Sequence, residues 1–483
     1  MGFSAVQRIV GFLIAASSLM MLPPILVSLW YQDGTAEVFL ACAAILLVAG
    51  LLIYFPVRNA KRDLRIRHGF LIVVSAWLAW VLVGALPFVL LTEPHLSYTD
   101  AVFESMSGLT TTGATIITNI DVLPRAVLYY RQQLQWLGGM GIIVLAVAIL
   151  PMLRVGGMQL YRAETPGPMK DAKLTPRITE TAKALWMIYF GITVTCVFAY
   201  WLAGMQLFDA VGHAFSTVAI GGFSTHNESL AFWDNPTIEA VAMIFMAIAG
   251  INFALHFSAW RRASAQPYFI DPELKVYAVL LLVFSVLVSF ALYFTDTYES
   301  LFTSFRYGFF QVISVMTTTG FTTASFYEWT GFLPVLLICI AFIGGCAGST
   351  AGGMKVIRII LLYKQSIREV RRLIHPHAVI PVKVGGQRTS DTVISAVWGF
   401  FFLYIANFAV MTVLLTATGL DAETAYSAVG ACITNLGPAL GDAGPNYASL
   451  NNPAKIILSI AMLLGRLEIY TLLVLLTPAF WRD

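Results

Sequence analysis

The sequence predicts an all-α protein that crosses a membrane several times. Of its 483 residues, 58% are hydrophobic and only 11% are charged, and the mean hydropathy is +0.78. A soluble domain carries roughly a quarter charged residues, so this composition excludes a water-soluble globule. It also excludes a disordered chain, because disorder requires low hydrophobicity and 13% of the residues here are aromatic. The remaining class is a polytopic membrane protein.

Ten apolar runs are long enough to cross the hydrocarbon core of a bilayer, which takes about 20 residues. They lie near 9–30, 37–57, 69–92, 128–150, 184–204, 236–260, 276–295, 332–362, 391–417 and 454–477. The first run follows a single arginine, Arg8, and further apolar runs come after it. We therefore interpret it as a retained helix and not as a secretory signal.

The basic residues predict how these helices are oriented. They fall mainly in the connections at 58–67, 151–183, 261–275 and 364–390. Cytoplasmic loops carry an excess of Lys and Arg, so these connections and both termini are expected in the cytoplasm. The loops at 151–183 and 364–390 are basic enough to face anionic lipid or an acidic partner protein. The net charge of +3 does not indicate nucleic-acid binding.

The five cysteines form no recognisable metal or disulfide pattern. They are Cys42, Cys196, Cys339, Cys346 and Cys432. No CxxC and no Cys/His cluster occurs, so we interpret them as small packing residues and expect no covalent cofactor.

Four short apolar segments recur between pairs of long runs, on the side with few basic residues. They lie at 100–113, 209–222, 303–320 and 422–437. Segments this short are typical of re-entrant elements. They end at Gly113, Gly222, Gly320 and Gly437, with spacings of 109, 98 and 117 residues. A period this long indicates repeated subdomains, each made of a helix, a short re-entrant helix, a glycine-bearing strand and a second helix.

This repetition divides the chain into five parts. Two N-terminal transmembrane helices at 1–60 precede four repeats at 61–160, 161–265, 266–375 and 376–483. Irregular backbone at membrane depth is tolerated only where it is buried in protein or lines a water-filled cavity. Four such segments in one chain can surround a single axis, so the predicted architecture is four helix–pore loop–helix repeats around one pore.

The residues that end each short segment can form an ion site from backbone atoms. They are Thr110, Thr111, Thr112 and Gly113; Ala219, Ile220, Gly221 and Gly222; Thr317, Thr318, Thr319 and Gly320; and Thr434, Asn435, Leu436 and Gly437. Rings of carbonyl oxygens can replace the hydration shell of K⁺, and glycine lets such carbonyls turn inward. The carbonyl end of each short helix also attracts a cation. One such string alone would indicate a turn, but four at equivalent places predict a filter for a monovalent cation.

A glycine-rich run interrupts the eighth apolar stretch and is the predicted gate. It comprises Gly344, Gly345, Cys346, Ala347, Gly348, Ser349, Thr350, Ala351, Gly352 and Gly353. Glycine costs about 1 kcal/mol relative to alanine in a helix, so we expect a broken helix just cytoplasmic of the filter. A phosphate-binding loop would need GK[ST], which is absent, whereas close helix packing remains an alternative.

Arg466 lies inside the last apolar run, where an arginine is costly and indicates a functional site. Glu468 follows at a spacing that makes it a poor partner for Arg466. We predict that Arg466 faces the pore axis below the filter and contacts carbonyls of the loop at 344–353. The alternative is an arginine that extends to the membrane surface. Lys355 and Arg358, just after the loop, are interpreted as marking the cytoplasmic interface, and a part in the same barrier is the alternative.

These residues resemble the TrkH-type subunits of the Trk/Ktr/HKT superfamily of potassium transporters, over the whole chain. The resemblance implies a fold like a potassium-channel tetramer fused into one chain, with filter glycines at Gly113, Gly222, Gly320 and Gly437. It also implies K⁺ uptake across the cell inner membrane and a gate formed by the loop at 344–353 with Arg466. The implied partners are a second copy of the chain and a cytoplasmic TrkA-like nucleotide-binding subunit. Since each strand has one signature glycine and no TVGYG string, we expect looser K⁺/Na⁺ discrimination than in potassium channels.

Two other functional classes fit the sequence less well. An ion-coupled secondary transporter of another small cation would show inverted halves and intramembrane carboxylates, whereas four like-oriented units are present. An intramembrane enzyme would need clustered His, Asp and Glu or a Ser/His pair within the spans, and His256 is alone in its run. Whether K⁺ flux is passive or coupled to protons or sodium stays open.

Overall fold

The computed structural model describes residues 3–59, 66–141 and 178–482. The second part of the apolar run at 128–150 and most of the basic connection at 151–183 lie outside the described residues. So do the boundaries that the sequence predicts near residues 60 and 160. Elements are numbered below in chain order over the described ranges.

The chain begins with two antiparallel helical segments. The first consists of α1 (Phe3–Ser17), a 3₁₀ turn (Ser18–Met21) and α2 (Leu22–Tyr31), and the second is α3 (Ala36–Tyr54) with a 3₁₀ turn at Phe55–Val57. Small residues allow α1 and α3 to approach closely: a Cβ added at Gly50 would overlap the backbone of Ala15. Proline in the first turn of α2 is tolerated because the amide there has no helical partner.

The rest of the described chain consists of four sets of helices. Each set contains a long helix, then a short helix, then a further helix or broken helix whose shape differs from set to set. The first set is α4 (Ile66–Gly84), α5 (Leu86–Leu90), α6 (Tyr98–Leu109) and α7 (Arg125–Gly139). The second is α8 (Ile178–Leu202), α9 (Leu207–Ala219), α10 (Pro236–Ala249), α11 (Phe253–Arg262) and α12 (Gln266–Ile270). The third is α13 (Pro272–Phe294), α14 (Leu301–Met316), α15 (Leu333–Ala341) and α16 (Val356–Ile374). The fourth is α17 (Asp391–Thr416), α18 (Ala422–Ile433), α19 (Asn452–Arg466), α20 (Tyr470–Leu476) and α21 (Pro478–Trp481).

The remaining regular structure is short. A two-stranded antiparallel hairpin pairs β1 (Lys383–Val384) with β2 (Gln387–Arg388) between α16 and α17. Further 3₁₀ turns lie at Ser229–Trp233, Phe326–Glu328 and Gly441–Ala443. The fold of the described residues is therefore almost entirely helical.

Within the described ranges, six segments are long and apolar enough to cross a membrane. They are Ser4–Tyr31, Ala36–Val57, His68–Leu90, Ala182–Leu202, Pro272–Phe294 and Asp391–Thr416. Two bent helix pairs would raise the number to eight, if each pair is one span. Large apolar side chains such as Leu52 and Phe294 are exposed on these segments, as expected where lipid surrounds the protein.

The short helices α6, α9 and α18 are buried along most of their length, and α14 is buried along half of its length. Two of them begin with a side-chain cap. Ser97 Oγ accepts from the amide of Asp100 at 3.2 Å, and Asp421 Oδ2 accepts from the amide of Thr424 at 3.0 Å. Such caps satisfy amides that have no helical partner, so they fix where the helix starts.

Two helices expected from single apolar runs are sharply bent. The run at 236–260 forms α10 and α11, which meet at 92°, and the run at 454–477 forms α19 and α20, which meet at 116°. Asn252 starts α11 by accepting from the amide of Ala254 at 2.9 Å. At the second bend Glu468 and Ile469 both have a positive φ, of 54° and 58°, which no continuing right-handed helix allows. The sequence did not predict these bends.

Candidate ion pathway

The four signature glycines lie in segments of nearly identical backbone shape. In each, the glycine and the residue two positions earlier are both left-handed. The φ angles are 54° and 83° for Thr111 and Gly113, 56° and 78° for Ile220 and Gly222, 66° and 82° for Thr318 and Gly320, and 58° and 94° for Asn435 and Gly437. Threonine and isoleucine rarely adopt this conformation, and such strain persists only where the surrounding structure enforces it. Its recurrence at four places therefore indicates one shared geometric requirement.

These four segments contact one another in a closed ring. A Cβ added at Gly113 would overlap the carbonyl oxygen of Gly221, and one at Gly222 would overlap that of Thr319. In the same way Gly320 abuts the carbonyl oxygen of Leu436, and Gly437 abuts that of Thr112. The first segment thus contacts the second, the second the third, the third the fourth, and the fourth the first. We call the oxygens of Thr112, Gly221, Thr319 and Leu436 the ring oxygens.

Hydrogen bonds between side chains next to the signature glycines stabilise the ring. The hydroxyl groups of Thr110 and Thr112 lie 2.8 Å apart, and those of Thr317 and Thr319 lie 2.7 Å apart. Asn435 Nδ2 donates to Thr112 Oγ1 at 3.0 Å and so joins the fourth segment to the first. All sixteen residues that the sequence predicts for the filter lie in or directly before the ring.

A cavity of about 620 Å³ opens on one side of the ring and is lined by all four signature glycines. Its charged and titratable lining includes Arg131, His226 and Glu228. Many acidic residues on this side of the molecule are engaged elsewhere, for example Asp234 with Arg306 at 2.7 Å. The cavity therefore leads directly to the ring.

On the opposite side of the ring, the loop at 344–353 packs directly against it. The helix is interrupted between Ala341 and Val356, as the glycine-rich sequence predicted. Gly352 N donates to Thr318 Oγ1 at 2.7 Å, and Gly353 N donates to the carbonyl oxygen of Thr434 at 3.0 Å. Thr350 Oγ1 donates to the carbonyl oxygen of Val218 at 3.0 Å, at the end of α9. The loop therefore contacts three of the four segments or the helices that precede them.

The bend between α10 and α11 receives the far side of this loop. Cys346 N donates to the carbonyl oxygen of Gly250 at 2.9 Å, and Phe253 N donates to that of Gly348 at 3.0 Å. Glu273, at the start of α13, accepts from the amide of Ala347 at 2.7 Å. A continuous helix would pair these backbone groups of Gly250 and Phe253 within itself. The bend leaves them free to form hydrogen bonds with the loop.

Arg466 bridges the loop and the first segment. Its Nη1 donates to the carbonyl oxygen of Thr350 at 3.2 Å and to Thr111 Oγ1 at 3.3 Å, and its Nη2 donates to the carbonyl oxygen of Gly138 at 2.6 Å. The predicted contact with a loop carbonyl is confirmed. As the spacing indicated, Glu468 pairs with another residue, Arg358.

Lys355 and Arg358, interpreted from the sequence as interfacial residues, are both buried within the protein. Their exposed fractions are 8% and 4%. Lys355 Nζ donates to the carbonyl oxygen of Ala351, and the Arg358 guanidinium packs 4.0 Å from the centre of the Phe400 ring. Lys355 therefore contacts the loop at 344–353 directly, whereas Arg358 contacts Glu468 and Phe400.

Sequence reasoning missed the polar side chains of α7. The run RQQLQ at 131–135 lies within an apolar stretch, and polar residues in a span are themselves a signal of function. Arg131 Nε is 2.9 Å from Glu104 Oε1, and both side chains are fully buried. Arg131 Nη1 also donates to the carbonyl oxygen of Ser224 at 3.1 Å, just after the second glycine. Gln135 contacts the second segment directly.

Two histidines flank the second segment, and only one lies in the cavity. His213 is buried, between the carbonyl oxygen of Asp209 and Ser224 Oγ, each at 2.9 Å. His226 lines the cavity, where its Nδ1 lies 2.9 Å from Asp121 Oδ1. Burial of the His226 imidazole, the largest single effect, favours its neutral form. The hydrogen bonds and negative charges of Asp209 and Asp121 outweigh burial and raise the pKa of His226 above its ordinary value of 6.5.

Comparison with known proteins places this arrangement in a family. Residues 35–482 match the sequence profile of TrkH, described as a cation transport protein. The chain is 56% identical over 482 residues to the Trk system potassium uptake protein TrkH of Halomonas elongata, and 52% identical over 483 residues to that of Escherichia coli K12. Each alignment covers 100% of both chains. The crystal structure of the potassium transporter TrkH from Vibrio parahaemolyticus superimposes with a TM-score of 0.91, at 49% identity and with 100% of both chains covered. The chain therefore belongs to the TrkH family of cation transport proteins.

Proposed function

We propose that this protein takes up K⁺ across the cell inner membrane through the ring formed by Gly113, Gly222, Gly320 and Gly437. The observation that carries the proposal is the closed ring of four left-handed glycines, each against a carbonyl oxygen of the next segment. Backbone oxygens held around one axis can replace the water around a monovalent cation. The relatives are named as potassium uptake proteins, which supports K⁺ as the substrate.

In this proposal the four sets of helices are pore repeats, and α6, α9, α14 and α18 are their pore helices. The C-terminal end of each pore helix lies just before the ring. A helix C-terminus carries roughly half a negative charge, so all four favour a cation at the axis. The cavity beside Arg131 and His226 is the outer vestibule, and the basic connections and both termini are cytoplasmic.

The loop at 344–353 and Arg466 form the gate. The loop lies against the ring on the side away from the vestibule, so an ion that leaves the ring meets it next. Arg466 adds a positive charge at that place, which repels a passing cation. Opening requires the loop to release its hydrogen bonds to the ring.

The protein works as a homodimer with one pore per chain, and with a cytoplasmic TrkA-like nucleotide-binding subunit. Supporting a cytoplasmic partner, the C-terminal part of α16 exposes Arg371 and Arg372 beside Leu373 and Ile374, a mixed basic and apolar surface. Such a surface suits an acidic protein partner or anionic lipid.

Uptake of ⁸⁶Rb⁺ into liposomes that contain the purified chain tests the proposal. We expect uptake that external K⁺ inhibits at lower concentration than Na⁺ does, and growth rescue of a K⁺-uptake-deficient bacterium at low external K⁺. Empty liposomes are the control. Absence of Rb⁺ uptake in reconstituted, correctly folded protein, together with failed rescue, would contradict the proposal.

A further inference from the structure

The second segment differs from the other three at the position just before its signature glycine. That position is Thr112, Thr319 or Leu436 in the others but Gly221 here. Unlike Gly222, Gly221 is not left-handed, so its backbone does not require glycine. The reason for a glycine must therefore lie in its surroundings.

The space that a side chain at Gly221 would occupy is filled by Gln135. A Cβ added at Gly221 would overlap the side-chain carboxamide of Gln135. Gln135 is on α7, in the first repeat, and its side chain is fully buried. The first repeat thus supplies the group that packs behind the filter of the second.

The Gln135 carboxamide holds the second segment at two points. Its Nε2 donates to the carbonyl oxygen of Gly221 at 2.6 Å, and its Oε1 accepts from the amide of Phe223 at 3.0 Å. These two backbone groups lie on either side of Gly222. Among the described hydrogen bonds, the ring oxygens of Thr112, Thr319 and Leu436 accept none from a side chain, so only the ring oxygen of Gly221 is held in this way.

We propose that Gln135 is a positioning residue that sets the ion selectivity of the filter, and that residue 221 is glycine in order to admit its carboxamide. The inference rests on the proposed function. A carbonyl oxygen has two lone pairs, so the oxygen of Gly221 can accept from Gln135 and still face an ion. Na⁺ is smaller than K⁺ and needs the oxygens to move closer together. Gln135 resists that movement in the second segment.

A double-mutant cycle with Gln135→Ala and Gly221→Ala tests the proposal. Gly221→Ala alone places a methyl group where the buried Gln135 carboxamide lies and forces it and the filter segment apart, so we expect K⁺ uptake to fall about tenfold or more. Gln135→Ala alone leaves two backbone groups without their partner, so we expect uptake to persist and the K⁺/Na⁺ ratio to fall about fivefold to tenfold. In the double variant the new methyl group enters the vacated space, so uptake returns to the level of Gln135→Ala.

Gln133→Ala is the matched control. Gln133 is on the same helix and is also buried, but its Nε2 donates to the carbonyl oxygen of Met20 at 2.8 Å, away from the ring. We expect its K⁺/Na⁺ ratio to equal that of the unmodified chain. If Gln135→Ala does not fold, Gln135→Leu keeps the volume, removes both hydrogen bonds and is measured for the same ratio.

The proposal fails if the double variant transports as poorly as Gly221→Ala, or if Gln135→Ala and Gln135→Leu keep the original ratio. These outcomes are distinct from failure of the proposed function, in which the unmodified chain itself would not take up K⁺ or Rb⁺. Thermal unfolding of each variant in detergent, with K⁺ and with Na⁺, separates a changed ion preference from general destabilisation. Gln135→Ala is expected to lose most of the extra stabilisation that K⁺ gives over Na⁺.

Discussion

The four segments of the ring are nearly alike, whereas the four helices that follow them are not. Each ring segment has the same pair of left-handed residues and the same contact with its neighbour. After the ring, α7 is unbroken over its described length, α10 and α11 meet at 92°, α15 and α16 are separated by the loop at 344–353, and α19 and α20 meet at 116°.

The contrast indicates two different physical demands on one repeated unit. An ion at an axis needs oxygens at equal distances, which constrains the backbone of all four segments equally. A gate needs one element that can move, held by contacts that the others supply. In the proposed gate the third repeat supplies the loop, the second receives it at the bend near Gly250, and the fourth adds Arg466.

The largest effect is expected in the ring, where the four segments are alike, from a methyl group at a signature glycine. Gly320→Ala places a Cβ against the carbonyl oxygen of Leu436 and makes a left-handed alanine. Together these cost about 3 kcal/mol, so we expect K⁺ uptake in liposomes to fall about 100-fold.

Gly331→Ala tests the effect of a left-handed alanine without the steric clash that Gly320→Ala makes with the carbonyl oxygen of Leu436. Gly331 is left-handed, with φ of 72°, but a Cβ there would meet nothing within 4 Å. We expect it to retain near-normal uptake. Equal losses in both variants would mean that backbone strain, and not contact within the ring, explains the need for glycine.

The next test concerns Arg466, which lies in the helices after the ring, where the four repeats differ. Arg466→Ala removes hydrogen bonds to the loop, to Thr111 and to α7, together with a positive charge below the ring. The lost bond to the loop carbonyl contributes about 1 kcal/mol and the lost charge adds to it, so we expect basal ⁸⁶Rb⁺ flux without any partner protein to rise about tenfold. Arg261→Ala removes an exposed arginine at the end of α11 and serves as the control. An unchanged flux in Arg466→Ala would remove the arginine from the gate.

A smaller effect is expected at the contact between the ring and the loop at 344–353. Thr318 belongs to the ring, and its hydroxyl accepts from Gly352 of the loop at 2.7 Å. Thr318→Val keeps the shape but loses this acceptor, so we expect basal flux to rise about fivefold, the equivalent of about 1 kcal/mol. Thr318→Ser restores the hydroxyl and should behave like the unmodified chain. If Val and Ser raise the flux equally, the hydrogen bond does not hold the loop.

The sequence predicts some features of this molecule and not others. The ring glycines and the break at 344–353 are predictable because a left-handed or irregular backbone selects glycine locally. The contact of Arg466 with a loop carbonyl was also predicted, since a charge in a span must find polar partners.

The remaining features depend on residues that are far apart in the chain. Arg358 and Glu468 are 110 residues apart, and no local pattern pairs them. The bend near Gly250 makes sense only beside the loop that it receives. Gln135 gave a detectable signal, as part of a polar run in an apolar stretch, but its contact with Gly221 exists only in three dimensions.

The smallest expected effect comes from the cavity beside the ring, where the repeats also differ. His226 lies four residues after Gly222, and the equivalent positions in the other repeats are Ile117, Ala324 and Gly441, so only the second repeat carries a titratable group there. The pKa of His226 is raised because Asp209 and Asp121 outweigh the effect of burial. A raised folded-state pKa means that the protonated imidazole stabilises the fold fully below the unfolded value of 6.5 and loses that effect as pH rises through the folded value.

His226→Gln should therefore lower the unfolding temperature in detergent most at acidic pH, by a few degrees, with a difference that shrinks above neutral pH. His377→Gln, at an exposed histidine after α16, is the matched control and should show no such trend. Because Asp209 also lies 3.9 Å from Arg125, removing the imidazole leaves that carboxylate one cationic neighbour, which keeps the expected loss small. A difference of the same size at every pH would mean that His226 acts through its stacking on Phe232, at 3.6 Å between ring centres, and not through its charge.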